Sequence, residues 1–111
     1  MAAPHSQPGD LIDLRALETE LATARTQVIA KADDFEIIRL VLRQGKDIPS
    51  HRTAGRLIVQ CLQGRVKFIA MGSELELRPG HMFYLPPGEP HALTALEDSS
   101  LLLTILAASQ P

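Results

Sequence analysis

Glycine and proline divide the chain after Thr26 into short apolar segments, and this division constrains the fold more than any other sequence feature. The segments recur at intervals of about 8–12 residues. One of them, Ser73 to Arg78, alternates apolar and charged side chains, and a period of two is typical of a β-strand with one wet face. Short strands with this spacing predict an all-β sandwich or barrel.

The length predicts one domain. A chain of 111 residues, of which 45% are apolar and 22% charged, has an ordinary globular composition and enough residues for a single core. We expect a disordered tail over residues 1–9 and one barrel domain over residues 10–111. At the start of that domain, Leu14, Leu17 and Leu21 are spaced by three and four residues, which predicts a short amphipathic N-terminal helix.

Two further segments carry specific predictions. Residues 45–51, GKDIPSH, contain glycine and proline and are predicted to form a loop. Residues 100–107, SLLLTILA, are apolar on both faces of a strand, which predicts that both faces are covered, the outer one by a second subunit.

Charge and composition argue against several classes of partner. A net charge of −2 without any block of like charges gives no attraction for nucleic acid or an anionic membrane. Tyr84 is the single tyrosine and tryptophan is absent, so no aromatic platform for stacking bases is expected. The longest apolar runs are about five residues, against the roughly 20 that a membrane helix needs. Cys61 is the single cysteine and the start has no secretory pattern, so we expect a cytoplasmic protein.

Two histidines each follow a turn and open a strand. His51 follows a loop that begins at Gly45, and His91 follows the turn at residues 86–88, Pro-Pro-Gly. Proline removes a ladder donor and ends the preceding strand, while glycine allows the tight turn. If both following strands line the mouth of one barrel, the two imidazoles converge on one cavity.

The spacing of these residues resembles the paired motifs of the cupin superfamily, whose members are double-stranded β-helix (jelly-roll) barrels. The first motif is matched at Gly45, His51 and Gly64, and the second at Gly80, Pro86, Gly88 and His91. The resemblance covers residues 35–107 and implies a small single-domain bacterial cupin. It also implies a homodimer, since cupins are commonly dimers.

The resemblance also implies a set of metal-ligand positions. Metal-binding cupins usually offer two histidines and a glutamate from the first motif and one histidine from the second. This chain has His51, Thr53, Leu57 and His91 at those positions, so threonine and leucine replace two of the four ligands. The implied cofactor is a divalent ion of iron, manganese, zinc or nickel held by His51 and His91, although such sites usually need a third protein ligand. Candidates for a further ligand are Glu36, Asp47 and Glu89.

Three functions compete on this evidence. The first is a small-molecule binder with an apolar pocket and a few polar groups, favoured by the replaced ligand positions. The predicted pocket residues are His51, Thr53, Leu57, Val59, Cys61, His91 and Leu93. The second is a metal-dependent enzyme of the oxygenase or isomerase type, with His51 and His91 as ligands. The third is metal-free acid–base catalysis by the same histidines, because the unperturbed histidine pKa of about 6.5 suits proton transfer.

Overall fold

The computed structural model describes residues 5–18 and 21–108, and in this part of the chain nine strands form two antiparallel sheets. The strands are β1 (Gln27–Ala32), β2 (Phe35–Leu42), β3 (Asp47–His51), β4 (Leu57–Gln63), β5 (Val66–Ala70), β6 (Ser73–Leu77), β7 (Met82–Leu85), β8 (His91–Ala95) and β9 (Ser99–Leu106). One sheet has the order β1-β2-β9-β4-β7 and the other the order β3-β8-β5-β6. The all-β prediction is confirmed.

The core lies between the two sheets and follows from the alternation of the strands. In β8, His91, Leu93 and Ala95 are buried while the residues between them are half-buried, and β4 and β5 alternate in a similar way. Because successive side chains of a strand point to opposite faces, one face of each sheet supplies the core. The fully or nearly buried members include Leu57, Val59, Cys61, Val66, Phe68, Leu85, Leu93 and Leu101.

The segment predicted as a loop over residues 45–51 forms a strand instead, β3. It pairs with β8 at the end of the four-stranded sheet, and the register shifts between Ile48 and His51. Pro49 lies within that irregularity. An edge strand with a bulge tolerates proline because the missing N–H is not needed for a second ladder, so the proline was a poor indicator of a loop here.

The turn from β4 to β5 requires glycine at position 64. Gly64 has φ of 86°, and a Cβ there would overlap the Ser99 side chain and the Asp98 carbonyl oxygen. A residue with a side chain would therefore meet both backbone strain and the start of β9. This close contact fixes how the chain passes from one sheet to the other.

The predicted N-terminal helix is reduced to one 3-10 turn over Leu14–Glu18; Thr19 and Glu20 lie outside the described residues. Two arginines, one in β2 and one in the loop after β2, donate hydrogen bonds to backbone carbonyls of this segment. Arg39 Nη2 donates to the Leu17 carbonyl, and Arg43 donates from Nη1 to Leu21 at 2.6 Å and from Nη2 to Ala24 at 2.8 Å. Carbonyls bound in this way are withdrawn from the i→i−4 bonds of a continuing α-helix.

The same N-terminal segment covers the outer face of the five-stranded sheet. Ile12 and Leu17 pack against a small cluster of buried residues on that face, Ile29, Leu62 and Leu102. Leu102 lies on β9, the strand predicted to be covered on both faces. At this position the outer cover comes from the chain itself rather than from a second subunit.

The predicted tail is only partly within the described residues. Residues 1–4 lie outside them, and at position 6 the backbone N–H of Ser6 donates to the Ile29 carbonyl of β1 at 2.8 Å. Over residues 5–18 and 21–108, no helix has the length and apolar character needed to cross a membrane.

Candidate functional site

The structure brings His51 and His91 together as cross-strand neighbours. His51 ends β3 and His91 begins β8, and their Cα atoms are paired in the ladder. The ring centroids are 4.2 Å apart and the ring planes meet at 62°. Residues directly opposite each other on antiparallel strands have adjacent side chains, so the pairing of these two strands alone suffices to place the imidazoles in contact.

The loop that follows β3 and the loop that precedes β8 are joined to each other by a hydrogen bond. The Gly88 N–H donates to the Thr53 carbonyl at 2.9 Å, and Gly88 has φ of 75°. A positive φ is easily adopted by glycine, and here it presents the N–H to the other loop. The Thr53 hydroxyl donates to the Gly55 carbonyl at 3.0 Å, so this side chain closes its own loop.

Each imidazole is held by the same type of hydrogen bond. His51 Nδ1 lies 3.1 Å from the Pro49 carbonyl oxygen, and His91 Nδ1 lies 3.0 Å from the Glu89 carbonyl oxygen. A carbonyl oxygen can only accept, so Nδ1 carries the proton in both rings. In the neutral form Nε2 is then the unprotonated nitrogen, and each ring offers one lone pair to an incoming group.

His91 is the buried member of the pair. Its exposed fraction is 3%, whereas His51 is exposed at the cavity entrance. Burial lowers the pKa of His91 by desolvating the charged form; the neighbouring His51 lowers it further, and the Glu89 carbonyl opposes both. The ring stacks on Phe68 at 5.7 Å and 15°, and Phe68 packs edge-on against Phe83 at 4.7 Å. Burial thus favours the neutral form of His91, and the contacts with Phe68 and the Glu89 carbonyl hold the orientation of its ring.

The two rings line a cavity of about 190 Å³ that is otherwise apolar. Its lining consists of Leu40, Ile48, His51, Leu57, Phe68, His91, Leu93 and Leu103. Four of the residues predicted from the sequence are among them: His51, Leu57, His91 and Leu93. The remaining lining residues, Leu40, Ile48, Phe68 and Leu103, were not predicted.

Three predicted pocket residues, Thr53, Val59 and Cys61, are not part of the lining of this cavity, and each lies elsewhere for an identifiable reason. Thr53 turns toward Gly55 within its own loop. Val59 and Cys61 share the inner face of β4 with Leu57, but their side chains are packed in the core, with exposed fractions of 0% and 2%. The alternation along β4 predicts that both side chains face inward. It does not predict how far the cavity extends along the strand, because that depends on the side chains of the opposite sheet.

The thiol of Cys61 takes no part in the chemistry of the site. Burial raises its pKa to about 11, and the thiol lies 3.5 Å from the Gln63 carbonyl oxygen. A protonated, buried thiol is a poor nucleophile and a poor metal ligand.

The lining residues that were not predicted can be identified only once the order of the strands is known. Leu40 and Leu103 lie on the inner faces of β2 and β9, which pair with each other. Phe68 shares the inner face of β5 with Val66 and Ala70. The period of two assigns each residue to a face, but it does not say which strands lie opposite β3 and β8.

Two of the three carboxylates proposed as a third ligand are engaged elsewhere. Glu36 pairs with Lys31 at 3.4 Å, and the Asp47 carboxylate accepts a hydrogen bond from the Thr94 hydroxyl. Within residues 5–18 and 21–108 there is no group of three or more histidine, cysteine, aspartate or glutamate side chains placed to hold a metal ion. The donor set of the described site is therefore two imidazoles. Catalytic zinc sites generally have three protein ligands, so this set does not fit a closed catalytic metal centre.

Two other concavities lie at the β1–β2 end of the five-stranded sheet, with volumes of about 230 and 300 Å³. Both contain Lys31, Ala32 and Phe35, and neither is lined by a histidine. The smaller cavity between the sheets is the candidate site because, of the three, it is the one lined by the two adjacent imidazoles.

Comparison with known proteins supports the same fold. The chain resembles a conserved protein of unknown function from Streptococcus pyogenes, with a TM-score of 0.76, 21% identity and coverage of 99% of this chain and 97% of that chain. It resembles a cupin superfamily protein from Desulfitobacterium hafniense with a TM-score of 0.74, 17% identity and coverage of 96% and 97%. A mutant of salicylate 1,2-dioxygenase from Pseudoaminobacter salicylatoxidans matches with a TM-score of 0.62 and 22% identity, covering 65% of this chain and 21% of that chain. At these identities the similarities show the fold alone.

The family is shown by a separate comparison. No curated protein matches the chain. The family model described as "Cupin domain" matches residues 38–106, which is more than half of the chain and includes both histidines and strands β3 to β9. The chain belongs to the cupin family.

Proposed function

We propose that this protein binds a small organic molecule in the cavity between its two sheets, with His51 and His91 as the polar contacts. The single observation that carries the proposal is the composition of the lining, in which two adjacent imidazoles are surrounded by six apolar side chains. A concave, mainly apolar site with a few convergent polar groups is the usual form of a ligand pocket.

The replaced ligand positions support this proposal. Leu57, which stands where metal-binding cupins usually carry a glutamate, is 3% exposed and contributes apolar surface to the cavity. Leucine enlarges the apolar wall and removes a negative charge. Both changes favour an uncharged organic ligand over a cation.

A thermal-shift screen of small organic compounds tests the proposal. A compound that binds only the folded state raises the unfolding free energy by about 2.7 kcal/mol when present at about 100 times its Kd. We expect compounds that stabilise the wild type but not L57F, in which phenylalanine fills the cavity. The matched control is I58F, because Ile58 follows on the same strand and points to the outer face. If every stabilising compound acts equally on L57F, the cavity is not the binding site.

A second candidate is a metal-dependent activity at the same imidazoles. It is favoured by the hydrogen bonds from both Nδ1 atoms to backbone carbonyls, because metal-ligating histidines usually orient Nε2 in this way. His51 and His91 would hold the ion, which would act as a Lewis acid toward a bound substrate. Two protein ligands leave most of the coordination shell to water or substrate, so we expect weak binding.

Elemental analysis of protein purified without a nickel column tests this candidate. Because binding at two protein ligands is weak, a metal-binding site predicts less than one ion per chain in the wild type and a loss of that metal in H51A and H91A. The control is H5A, since His5 lies far from both loops in sequence and is exposed. Trace metal that is equal in all four proteins would exclude the candidate.

A further inference from the structure

We propose that the ligand of the cavity is a neutral molecule about the size of one six-membered ring that carries a hydroxyl group, the chemical class of the simple phenols and cyclic alcohols. This inference rests on the proposed small-molecule function and specifies what the same site accepts.

The size of the cavity sets the size of the ligand. An apolar cavity of about 150 Å³ holds one benzene molecule. The cavity between the sheets measures about 190 Å³, which matches one ring and a small substituent. It is also smaller than the roughly 300–1,000 Å³ of pockets for drug-sized ligands.

The lining provides no permanently charged side chain to pair with an ionic ligand. The eight lining residues include no lysine or arginine, and six of them are apolar. A carboxylate or phosphate would lose its hydration shell without gaining a cationic partner, which costs several kcal/mol in an apolar site. The ligand is therefore neutral in its bound form.

The hydrogen bonds of the imidazoles set the polarity of the ligand group. Both Nδ1 atoms are already used as donors to the Pro49 and Glu89 carbonyls. The remaining Nε2 atoms accept, so the cavity needs a donor such as a hydroxyl rather than a carbonyl or an ether. The hydroxyl donates a hydrogen bond to Nε2, and the ring of the ligand contacts the apolar wall.

The aromatic side chains near the two histidines favour a ligand that contains a ring. Phe68 stacks on His91 and is itself held edge-on by Phe83. Phe68 thus presents an immobile aromatic surface within the lining, and aromatic surfaces pair well with another ring in stacked or edge-on geometry.

Three single-ring probes separate the parts of this inference: phenol, toluene and benzoate. Toluene replaces the hydroxyl by a methyl group, and benzoate replaces it by an anion. Binding to metal-free wild-type protein is followed by NMR, through the methyl resonances of Leu57 and Leu93, because fragments of this size bind weakly. We expect phenol to bind about three- to tenfold more tightly than toluene, as one added hydrogen bond predicts. We expect benzoate to bind at least tenfold more weakly than phenol.

Variants locate the effect. H91F removes the buried acceptor and should make phenol and toluene bind equally, whereas H5F, at an exposed position, should leave the preference unchanged. L57F should abolish binding of both neutral probes while I58F should not. Each variant is used only if its methyl spectrum shows the folded state; if H91F does not fold, H51F takes its place.

The outcomes distinguish this inference from the proposed function. Equal binding of phenol and toluene in the cavity overturns the hydroxyl class and leaves small-molecule binding standing. Preferential binding of benzoate overturns the neutral class. If none of the three probes binds, the inference is overturned, and the proposed function is then judged by whether the thermal-shift screen finds any compound sensitive to L57F.

Discussion

At the scale of single residues, the site depends on which nitrogen of each imidazole carries the proton. His91 lies between Phe68 on one side and His51 on the other, and its Nδ1 is bonded to the backbone two residues earlier. The importance of the two histidines could be predicted from their spacing to glycine and proline. The tautomers could not, because they depend on carbonyl directions that only the folded loops define.

The lowered pKa of His91 predicts a pH dependence of stability. The unfolded chain has a histidine pKa of about 6.5. Because burial lowers the folded pKa, the unfolded state binds more protons below pH 6.5, and stability is lost as the pH falls through the folded pKa. Urea unfolding of EDTA-treated protein between about pH 8 and pH 5 should therefore give a lower unfolding free energy at acid pH. The H91Q variant should show a smaller decrease over the same range; an unchanged slope would contradict the assignment.

Arg39 lies away from the cavity, and we expect its truncation to destabilise the folded protein strongly. It is 6% exposed, donates from Nε to the Ser100 hydroxyl at 3.0 Å, and holds the Leu17 carbonyl. R39A should lower the unfolding free energy by about 2–3 kcal/mol, because it breaks buried hydrogen bonds of a charged group. The control R25A, at an exposed position, should change it by less than about 0.5 kcal/mol. Equal effects of the two substitutions in chemical denaturation would contradict this role for Arg39.

At the scale of elements, pairing decides more than propensity does. Residues 47–51 contain proline and were predicted as a loop, yet they form β3 because β8 provides a ladder and the edge position tolerates the missing donor. The leucine spacing at Leu14, Leu17 and Leu21 predicted a helix, yet arginine side chains from the sheet take the carbonyls that a helix would use. In both cases a contact distant in sequence overrides a local pattern.

The β4–β5 connection predicts unequal effects of two glycine substitutions. Gly64 and Gly72 both have positive φ, of 86° and 72°, but only Gly64 has neighbouring atoms where a Cβ would lie. G72A should cost about 1 kcal/mol from backbone strain alone. G64A should cost about 2–5 kcal/mol, because overlap with Ser99 and Asp98 is added to the strain. Equal losses in thermal or urea unfolding would show that this close contact does not exist in solution.

At the scale of the whole molecule, the jelly-roll architecture could be predicted because turn residues and alternation recur along most of the chain. The cavity could be predicted only in part. His51, Leu57, His91 and Leu93 were identifiable from the motif positions, while Leu40 and Leu103 enter the lining through the order of the sheet. A motif marks the strands that bear polar groups, but the opposite wall is a property of the topology.

The association state is also a property of this scale, and we expect a homodimer. β7 ends the five-stranded sheet, and its outward side chains Met82 and Tyr84 are 59% and 68% exposed. An edge strand with exposed apolar side chains favours association. Sedimentation at micromolar concentration should show twice the chain mass for the wild type and a shift toward monomer for Y84K. The control I69K, on the other sheet, should remain dimeric. A wild type that is monomeric at all concentrations would contradict the prediction.

The most direct test of the account is whether the two imidazoles share the cavity in solution, as measured by the nuclear Overhauser effect between the ring protons of His51 and His91 in metal-free protein. The ring centroids lie 4.2 Å apart, so the account predicts a strong cross-peak between them, together with cross-peaks from His91 to Phe68 and Leu93. The absence of any cross-peak between the two rings, with His91 still in contact with Phe68, would contradict the shared site.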